Sequence, residues 1–330
     1  MRGLLWITLI AGVLWGGYWF AGSFALQRST DAWFAAQSEH GISARNDSVT
    51  VRGFPNRFDL TVTGLSLADP TTGYGWTAPF VQVFTMTWKP WHFIAALADQ
   101  QVFTTPNQTL SLTSRGLRGS LRLRPGGELA LEEAVGEGNG FMLESSQGWT
   151  TAADRAVVST LLDPSRANSY RIGLSIINLT PDQSIMRALA DQTDLPEKVD
   201  DVHLDAFALF SAPLDRHVGE TKPILTAIEI AEFRLLWGGL RLFADGNLVK
   251  GSQGLAEGNI ALRIEGWKRL PAMLAVLGLV KPQDTSTVER TIQVLADQGT
   301  DPDVLALPLK MTDGQLWLGP IRLGAAPRLN

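Results

Sequence analysis

The chain of 330 residues contains no cysteine, only three tyrosines and only four histidines. The lack of cysteine excludes disulfides, thiolate-bound zinc and cysteine nucleophiles. No histidine has a second histidine or a carboxylate at the spacing that holds a metal on a helix; the four are His40, His92, His203 and His217. We therefore predict no metal site, no cofactor and no catalytic residue, and we expect that the protein is not an enzyme.

The loops typical of nucleotide and acyl-transfer chemistry are also missing. The sequence has no Gly-x-Ser-x-Gly elbow, no Walker loop and no paired-glycine turn of a dinucleotide-binding fold. Residues 136–140 (GEGNG) lack the Lys-Ser/Thr or the helix of a phosphate loop, so we interpret them as a hairpin loop. The acidic residues at 200–201 and 301–303 could bind a cation weakly, whereas solvated turns or caps explain them better.

The chain also has no large excess of charge of either sign. The chain has 28 basic and 33 acidic residues, a net charge of −5, and the basic residues are scattered. A nucleic-acid-binding surface needs a basic patch or stripe, so nucleic acid is not an expected partner. Because 45% of the residues are hydrophobic, the chain can bury a full core of roughly one large or two small domains.

The clearest positive signal is an uncharged apolar run at residues 4–26. About 20 apolar residues are enough to cross a bilayer as a helix. Arg2 precedes the run, whereas Arg28 after it is followed closely by Asp31, so the N-terminus is predicted to be cytoplasmic and the body to lie outside. A cleaved signal peptide with a small-x-small site at residues 23–25 is the alternative, and it also exports the body.

The periodicity changes after this run. Residues 31–41 predict a short helix that ends at a glycine and continues the anchor as a stalk. Phe58, Leu60 and Val62 then alternate with polar residues, as in a half-buried strand. The apolar set slips by one position at Gly64, which indicates a β-bulge or a bend in the sheet.

The same alternation recurs and predicts a β-rich α+β domain with a long, twisted, mainly antiparallel sheet and a few packed helices. Candidate strands lie at residues 57–63, 80–88, 109–113, 119–124, 128–132, 170–177, 202–210, 225–237, 240–244, 259–266, 305–312 and 315–323. Asp-Gly pairs at residues 245–246 and 313–314 predict tight turns. Candidate helices lie at residues 90–98, 181–192, 266–280 and 286–297, the second with a capping box at 180–183. We predict an anchor at residues 1–27, a stalk helix and linker at 28–45, and one exported domain at 46–330.

Four motifs stand out in order along the chain. They are RGFPNRFDL (residues 52–60), WKPWH (88–92), LLWGGL (235–240) and DGQLWLGP (313–320). Together they resemble an uncharacterised family of alphaproteobacterial membrane-anchored envelope proteins, although Lys89 stands where arginine is expected. More distantly, an anchor followed by amphipathic hairpins is similar to AsmA-like proteins, which are implicated in envelope lipid homeostasis. The resemblance implies a bacterial inner-membrane anchor and a periplasmic body.

The first of these motifs is a candidate membrane-proximal site, formed by Gly53, Phe54, Pro55, Arg57 and Phe58. In one reading, Arg57 pairs with lipid phosphate while Phe54 and Phe58 lie at the membrane interface. In the other reading, Gly-Phe-Pro sets a kink before a strand, with Phe54 packed inward and Arg57 facing water. Both readings remain open from the sequence.

The strand at residues 80–88 is a candidate ligand-binding site. Its large apolar residues share one face, and they are Phe80, Phe84, Met86 and Trp88. The valines between them make the opposite face partly apolar, so both faces are expected to be covered. A helix could cover the second face, or a lipid acyl chain could lie there in a curved sheet. A similar choice, between a core helix and a membrane or partner surface, applies to residues 272–280 (AMLAVLGLV).

These observations predict a non-enzymatic cell-envelope protein that binds a lipid or another apolar ligand in a curved β-sheet groove. Its expected partners are the inner membrane, through residues 4–26, and a lipid ligand. The alternative is an interaction or scaffold protein that docks to an envelope protein complex and binds no small ligand.

Overall fold

The structure is a computed structural model that describes residues 1–190, 193–299 and 301–329, apart from the side chains of His40 and Pro282. Its contacts divide the chain into unit 1, Met1–Pro125 with Gly136–Gly148, and unit 2, Gly126–Val135 with Trp149–Asn330. The predicted boundaries at residues 27 and 45 concern the membrane and export, so they stay predictions.

Unit 1 begins with one continuous helix, α1 (Arg2–Gln37), which includes both the predicted anchor and most of the predicted stalk. A 3₁₀ turn at Ser38–His40 follows, and Gly41 ends it with a φ of 75°, which glycine adopts without steric cost. Among the described residues, α1 is the one helix long and apolar enough to cross a membrane. The predicted N-terminal apolar helix is therefore confirmed.

The sheet of unit 1 is antiparallel in every described pairing. Its strands are β1 (Ser43–Arg45), β2 (Ser48–Arg52), β3 (Arg57–Asp69), β4 (Tyr74–Met86), β5 (Lys89–Leu97), β6 (Gln100–Thr104) and β7 (Thr109–Leu123). Strands β1 and β2 both pair with β3, and β3 pairs with β4. Strands β5 and β6 lie between β4 and β7, each pairing with both. A further strand, β8 (Leu131–Ser145), is divided between the units at residue 135.

Helix α1 covers one face of this sheet. Phe34 of α1 packs against Val49, Val62 and Leu65 in a buried cluster. Val62 precedes and Leu65 follows the predicted slip, so the slip is confirmed. Gly64 lies between them with a φ of 60°, and a Cβ there would be 2.2 Å from the Asp47 carboxylate. The glycine thus lets both flanking apolar residues reach the same core.

The sheet of unit 2 is long, and each described strand pairs antiparallel with the next in sequence. The strands are β9 (Thr150–Leu162), β10 (Ser169–Leu179), β11 (Val199–Phe210), β12 (Leu225–Trp237), β13 (Leu240–Lys250), β14 (Ala256–Glu265), β15 (Val304–Thr312), β16 (Gln315–Leu318) and β17 (Ile321–Ala325). The described helices between them are short. They are α2 (Gln183–Ala190), α3 (Val218–Thr221), α4 (Leu270–Val276), which follows a 3₁₀ turn at Trp267–Arg269, and α5 (Thr285–Asp297).

The main core of unit 2 lies between its helices and its sheet. Leu189 of α2, Leu274 of α4 and Ile292 of α5 pack against strand residues such as Ile264 and Leu305. Within residues 272–280, three side chains are buried and two are exposed; the buried ones are Ala272, Leu274 and Val280, and the exposed ones are Leu277 and Leu279. Residues 272–276 therefore belong to a core helix, which ends at Val276, four residues before the end predicted from the sequence. The prediction of a β-rich body with a long sheet and few helices is confirmed.

The predicted helix at residues 90–98 is wrong, because this segment forms β5. Pro90 has no pairing partner at the start of the strand, where its missing N–H costs no sheet hydrogen bond. Both faces of β5 are largely apolar, which hides the alternation of a strand. The predicted strands at 109–113 and 119–124 are one strand, β7, in which Gly116 adopts a φ of 62°.

Two glycine signals were also misread as turns. Residues 136–140 lie inside β8, where Gly138 makes room for the ring of Phe141, 2.7 Å from where a Cβ would be. Residues 245–246 lie inside β13, where a Cβ on Gly246 would stand 2.3 Å from the Asn259 carbonyl of β14. These glycines permit close approach within the sheet. The tight turn at residues 313–314 is confirmed, with φ values of 51° and 71°.

The predicted capping box at residues 180–183 is wrong as well. Thr180 pairs with Ala152 in an isolated bridge, so it is part of the sheet edge. Asp182 instead accepts the N–H of Ser184 at 2.8 Å at the start of α2. The end predicted for this helix, residues 191–192, lies outside the described residues. The helix predicted at 286–297 is confirmed as α5.

Candidate functional site

The predicted motif at residues 53–58 packs directly on helix α1. It forms the turn between β2 and β3, next to the turn at residues 87–88 between β4 and β5. Three aromatic side chains of α1 donate hydrogen bonds to the backbone of these turns. The pairs are Trp15 Nε1 with the Pro55 carbonyl (3.0 Å), Trp19 Nε1 with the Arg57 carbonyl (2.7 Å) and the Tyr18 hydroxyl with the Thr87 carbonyl (3.0 Å). Both turns are thus held against one short stretch of helix.

The two turns are also tied to each other. Thr87, which is 3% exposed, donates its backbone N–H and its hydroxyl to the Asn56 carbonyl, at 3.1 and 3.2 Å. The N–H groups of Asn56 and Arg57 both donate to the Gly53 carbonyl, at 3.2 and 2.9 Å. Gly53 has a φ of 102°, and a Cβ there would lie 2.8 Å from the Arg57 carbonyl. The first turn therefore requires glycine at this position.

An aromatic cluster fills the space between the first turn and α1. Trp19 stacks on Phe58 at 6.0 Å between ring centroids and meets Phe54 edge-on at 5.4 Å. Phe58 is 8% exposed, and a Cβ on Gly22 would stand 2.7 Å from its ring. Phe54 also stacks on Phe20 but remains 56% exposed. Phe58, rather than Phe54, is therefore the inward residue of the motif.

A mainly apolar cavity of 280 Å³ lies beside the turns, and it is lined by Arg57, Phe84, Thr85, Met86, His92 and Ile94. Phe84 is paired directly with Asp59 on one side and with Ile94 on the other. The neighbouring position, Val83, is paired with Leu60, which packs on the cluster under α1. Because side chains alternate along a strand, the cavity lies on the face of the sheet opposite α1.

Arg57 places a positive charge at this cavity. Its Nη2 donates to Asp59 Oδ2 at 2.7 Å, and its guanidinium carbon lies 5.9 Å from the centroid of the Phe84 ring. The arginine side chain is 52% exposed, whereas that of Asp59 is 15% exposed. A guanidinium has five N–H donors, so one bond to Asp59 leaves further donors for an anionic group.

Only two of the four residues of the predicted ligand site line the cavity. Phe84 and Met86 line the cavity, but Phe80 lies half-buried further along β4 and Trp88 lies 50% exposed in the next turn. Sequence reasoning missed His92 and Ile94, because their segment was predicted to be helical. The sequence gives no clear signal for a strand here, because both faces of this segment are largely apolar.

A histidine and a serine lie within hydrogen-bond distance of each other near the cavity. His92 Nε2 lies 3.2 Å from the Ser120 hydroxyl. Among the described residues, no carboxylate hydrogen-bonds to the other ring nitrogen of His92, whereas an activated serine needs an oriented base. His217 lies far along the chain, 3.2 Å from Glu128 and 3.4 Å from Glu220. The described residues contain no group of three or more His, Asp or Glu that could hold a metal ion.

The acidic pairs singled out in the sequence serve local structure. Asp200 accepts the N–H of Gly238 at 3.0 Å, and Asp201 accepts Arg234 Nε at 2.8 Å. Asp301 accepts the N–H of Asp303 at 3.0 Å. These contacts are those of turns and ion pairs.

Several carboxylates with strongly shifted pKa values also belong to turns and caps. The Ser184 hydroxyl and the N–H of Thr150 lower the pKa of Asp182 from 3.8 to about 2. The Ser165 hydroxyl, followed by Arg166, lowers the pKa of Asp163 to about 2. These groups lie in unit 2 and stabilise chain reversals.

The chain matches the model of one protein family over residues 19–327. The match begins at Trp19 and includes both turns and all residues that line the cavity. Neither a curated protein nor a solved structure gives a significant match to the chain. The predicted resemblance to an uncharacterised bacterial family is confirmed, whereas the distant similarity to AsmA-like proteins stays a prediction. Because the match covers most of its length, the chain belongs to the family described as "Uncharacterized protein conserved in bacteria (DUF2125)".

Proposed function

We propose that this protein is a single-pass inner-membrane protein of the bacterial cell envelope, and that its periplasmic body binds a lipid. The ligand is an amphiphile with an acyl chain and an anionic headgroup. The acyl chain lies in the cavity beside Phe84 and Met86, and Arg57 binds the headgroup. The proposal assigns no catalytic step to the chain.

The observation that carries this proposal is the combination of apolar walls with one exposed arginine in the same cavity. Phe84, Met86 and Ile94 provide the apolar walls, and Met86 and Ile94 are 41% and 44% exposed. Exposed apolar side chains around a concave site are typical of ligand-binding surfaces. An arginine with unused donors favours a phosphate or carboxylate headgroup.

The size of the cavity limits what it can hold. Its 280 Å³ is slightly below the range of about 300–1,000 Å³ that is typical of sites for drug-sized ligands. The cavity therefore suits a segment of one acyl chain rather than a whole phospholipid. The remainder of the lipid would extend from the cavity past Arg57.

The proposed topology predicts an active reporter at the C-terminus. A reporter that works only outside the cytoplasm is expected to be active when fused after the last residue, because the anchor carries Arg2 before its apolar run. Activity is measured in intact cells, and a fusion to a chain that starts at residue 28 serves as the control without the anchor. A full-length, stable but inactive fusion would contradict the periplasmic body.

The lipid site predicts that F84S/M86S abolishes co-purifying lipid. The protein is extracted in a mild detergent, and bound lipid is measured by native mass spectrometry. The wild type is expected to carry lipid, and the double variant less than about a tenth of it, because hydroxyl groups replace two apolar walls. Both side chains are partly exposed, so the loss of stability should stay below the range of about 2–5 kcal/mol for each buried site.

The matched control is V158S/L161S, which changes two exposed apolar residues of unit 2, 50% and 46% exposed. This variant should keep the lipid. A wild type without lipid, or an F84S/M86S variant that melts far below V158S/L161S, would contradict the lipid site. A third variant, Arg57→Gln, should reduce the share of anionic lipids among those bound.

A docking role is the second candidate, and one observation favours it. Leu277 and Leu279, just after α4, are 56% and 41% exposed, and Leu279 borders a cavity of 450 Å³ that Val288 and Ile321 also line. An exposed apolar patch of this kind fits contact with another envelope protein. This candidate takes precedence if the gently extracted protein carries no lipid.

A further inference from the structure

We infer that the two turns at residues 53–57 and 87–90 enter the outer leaflet of the membrane that α1 crosses. We call these turns, with their exposed side chains Phe54, Trp88 and Lys89, the membrane-facing surface. Its partner is the lipid surface itself. The inference rests on the proposed membrane anchor, but it does not depend on lipid binding in the cavity.

The free part of α1 is too short to cross a bilayer by itself. Every residue from Met1 to Trp15 is exposed, whereas Trp19 is 6% exposed and Phe34 is 9% exposed against the sheet. The free helical segment before Trp15 is about 20 Å long at 1.5 Å per residue, while the hydrocarbon core of a bilayer is about 30 Å thick. The membrane must therefore also surround the next part of α1, beginning at Trp15, which packs on the turns.

The exposed apolar surface of α1 also continues into the part of the helix that packs on the turns. Phe20 and Phe24 are 64% and 65% exposed, and the first exposed polar residues after them are Gln27 and Arg28. From Leu4 to Phe24 the helix rises about 30 Å, which matches the thickness of the hydrocarbon core. A bilayer that covers this surface ends near Phe24, about 14 Å beyond the level of Trp15.

The turns are fixed at that depth. The carbonyls of Pro55, Arg57 and Thr87 accept hydrogen bonds from Trp15, Trp19 and Tyr18, all of which precede Phe24 in the helix. Helix and turns belong to the same unit, so the turns cannot remain outside the bilayer while this stretch of helix lies within it.

The backbone of the turns suits a medium poor in water. A backbone group in lipid needs a partner within the protein, since water is not there to provide one. The carbonyls of Gly53, Pro55, Asn56, Arg57 and Thr87 all accept hydrogen bonds. The N–H groups of Asn56, Arg57 and Thr87 all donate them. Exposed loops in water have no such need, because solvent satisfies their backbone.

The exposed side chains have the chemistry of the interface between lipid and water. Phe54 and Trp88 are 56% and 50% exposed, and aromatic rings concentrate where hydrocarbon meets headgroups. Lys89 is exposed in the second turn and Arg52 is exposed at the end of β2, directly before the first turn. Their long stems allow the charges to reach phosphate groups. Residues 52–58 and 86–92 contain no acidic residue, although the whole chain has a net charge of −5.

The test uses the natural lack of cysteine, which makes any introduced thiol unique. The full chain, with Phe54→Cys or Trp88→Cys, is labelled with a fluorophore and reconstituted in vesicles of phosphatidylcholine and phosphatidylglycerol. Quenching by spin-labelled lipids is compared with quenching by iodide in the surrounding water. Both labels are expected to be quenched at least threefold more by the lipid quencher than a label at Val158→Cys, which is 50% exposed in unit 2.

A fourth variant separates the possible failures. A label at Val13→Cys, on the free part of α1, reports whether the helix crosses the bilayer at all. Lipid quenching at residue 13 with iodide quenching at residues 54 and 88 would overturn the membrane-facing surface and leave the anchor in place. Iodide quenching at all three positions would overturn the anchor and, with it, this inference. Loss of bound lipid in F84S/M86S would change none of these readings.

Discussion

Replacing Trp267 by alanine is expected to lower the free energy of unfolding by about 3–5 kcal/mol, the usual cost of removing a buried tryptophan. Trp267 is 1% exposed and belongs to the core between the helices and the sheet of unit 2. Its Nε1 donates to the Pro302 carbonyl at 3.0 Å, so the substitution also leaves that carbonyl without its donor. Of the changes considered for the body of the protein, this one has the largest expected effect on stability.

The measurement is chemical unfolding of the full chain in detergent, with hydrogen exchange of β14 and β15 to locate the loss in unit 2. Trp88→Ala is the matched control, because Trp88 is 50% exposed and the same side chain is removed. The control should lose less than about 1 kcal/mol. Equal losses in the two variants would show that the core of unit 2 is not packed around Trp267.

Replacing Trp19 by alanine is expected to release the turn at residues 53–57 from helix α1. The substitution removes a side chain that is 6% exposed, its ring contacts with Phe54 and Phe58, and the donor to the Arg57 carbonyl. Loss of even about 1.4 kcal/mol from this contact raises the open population of the turn tenfold. We expect at least that increase in the rate at which trypsin cleaves after Arg57.

The cleavage is followed by mass spectrometry in detergent, where the site is accessible to protease. Trp6→Ala is the control, since Trp6 is 61% exposed on the same helix and precedes every contact of α1 with the turns. It should leave the cleavage rate unchanged. Equal cleavage of the Trp19→Ala variant and the control would mean that α1 does not hold the turn.

Much of the fold could be predicted because strong local signals agreed with the tertiary structure. The apolar run predicted the long N-terminal helix α1 correctly, and β12 has the same limits as the strand predicted at residues 225–237. The glycine at position 64 was interpreted correctly because the apolar residues on both sides of it shifted together. The aspartate-glycine turn at 313–314 was predicted correctly because it separates two alternating segments.

The rest depended on contacts that a local pattern does not contain. The same aspartate-glycine pair at residues 245–246 lies within a strand, because the close approach of β14 selects glycine there. Strand β9 mixes apolar and polar residues on both of its faces, so its pairing with β10, rather than an alternating pattern, decides its structure. The cavity required β3, β4 and β5 to be neighbours, and β5 was predicted to be a helix. The role of Trp15, Tyr18 and Trp19 as donors to the turns could not be derived from an aromatic run alone.

The hydrogen bonds from α1 to the two turns also have a consequence for processing and for production of the protein. A mature form that starts at residue 26, after cleavage at residues 23–25, would retain every strand of unit 1. It would lose all three aromatic donors and would leave Phe58 facing water instead of Trp19. An apolar surface newly exposed in this way promotes self-association. The helix that we propose as the membrane anchor therefore also completes the fold of unit 1, and a form without it would lack these contacts.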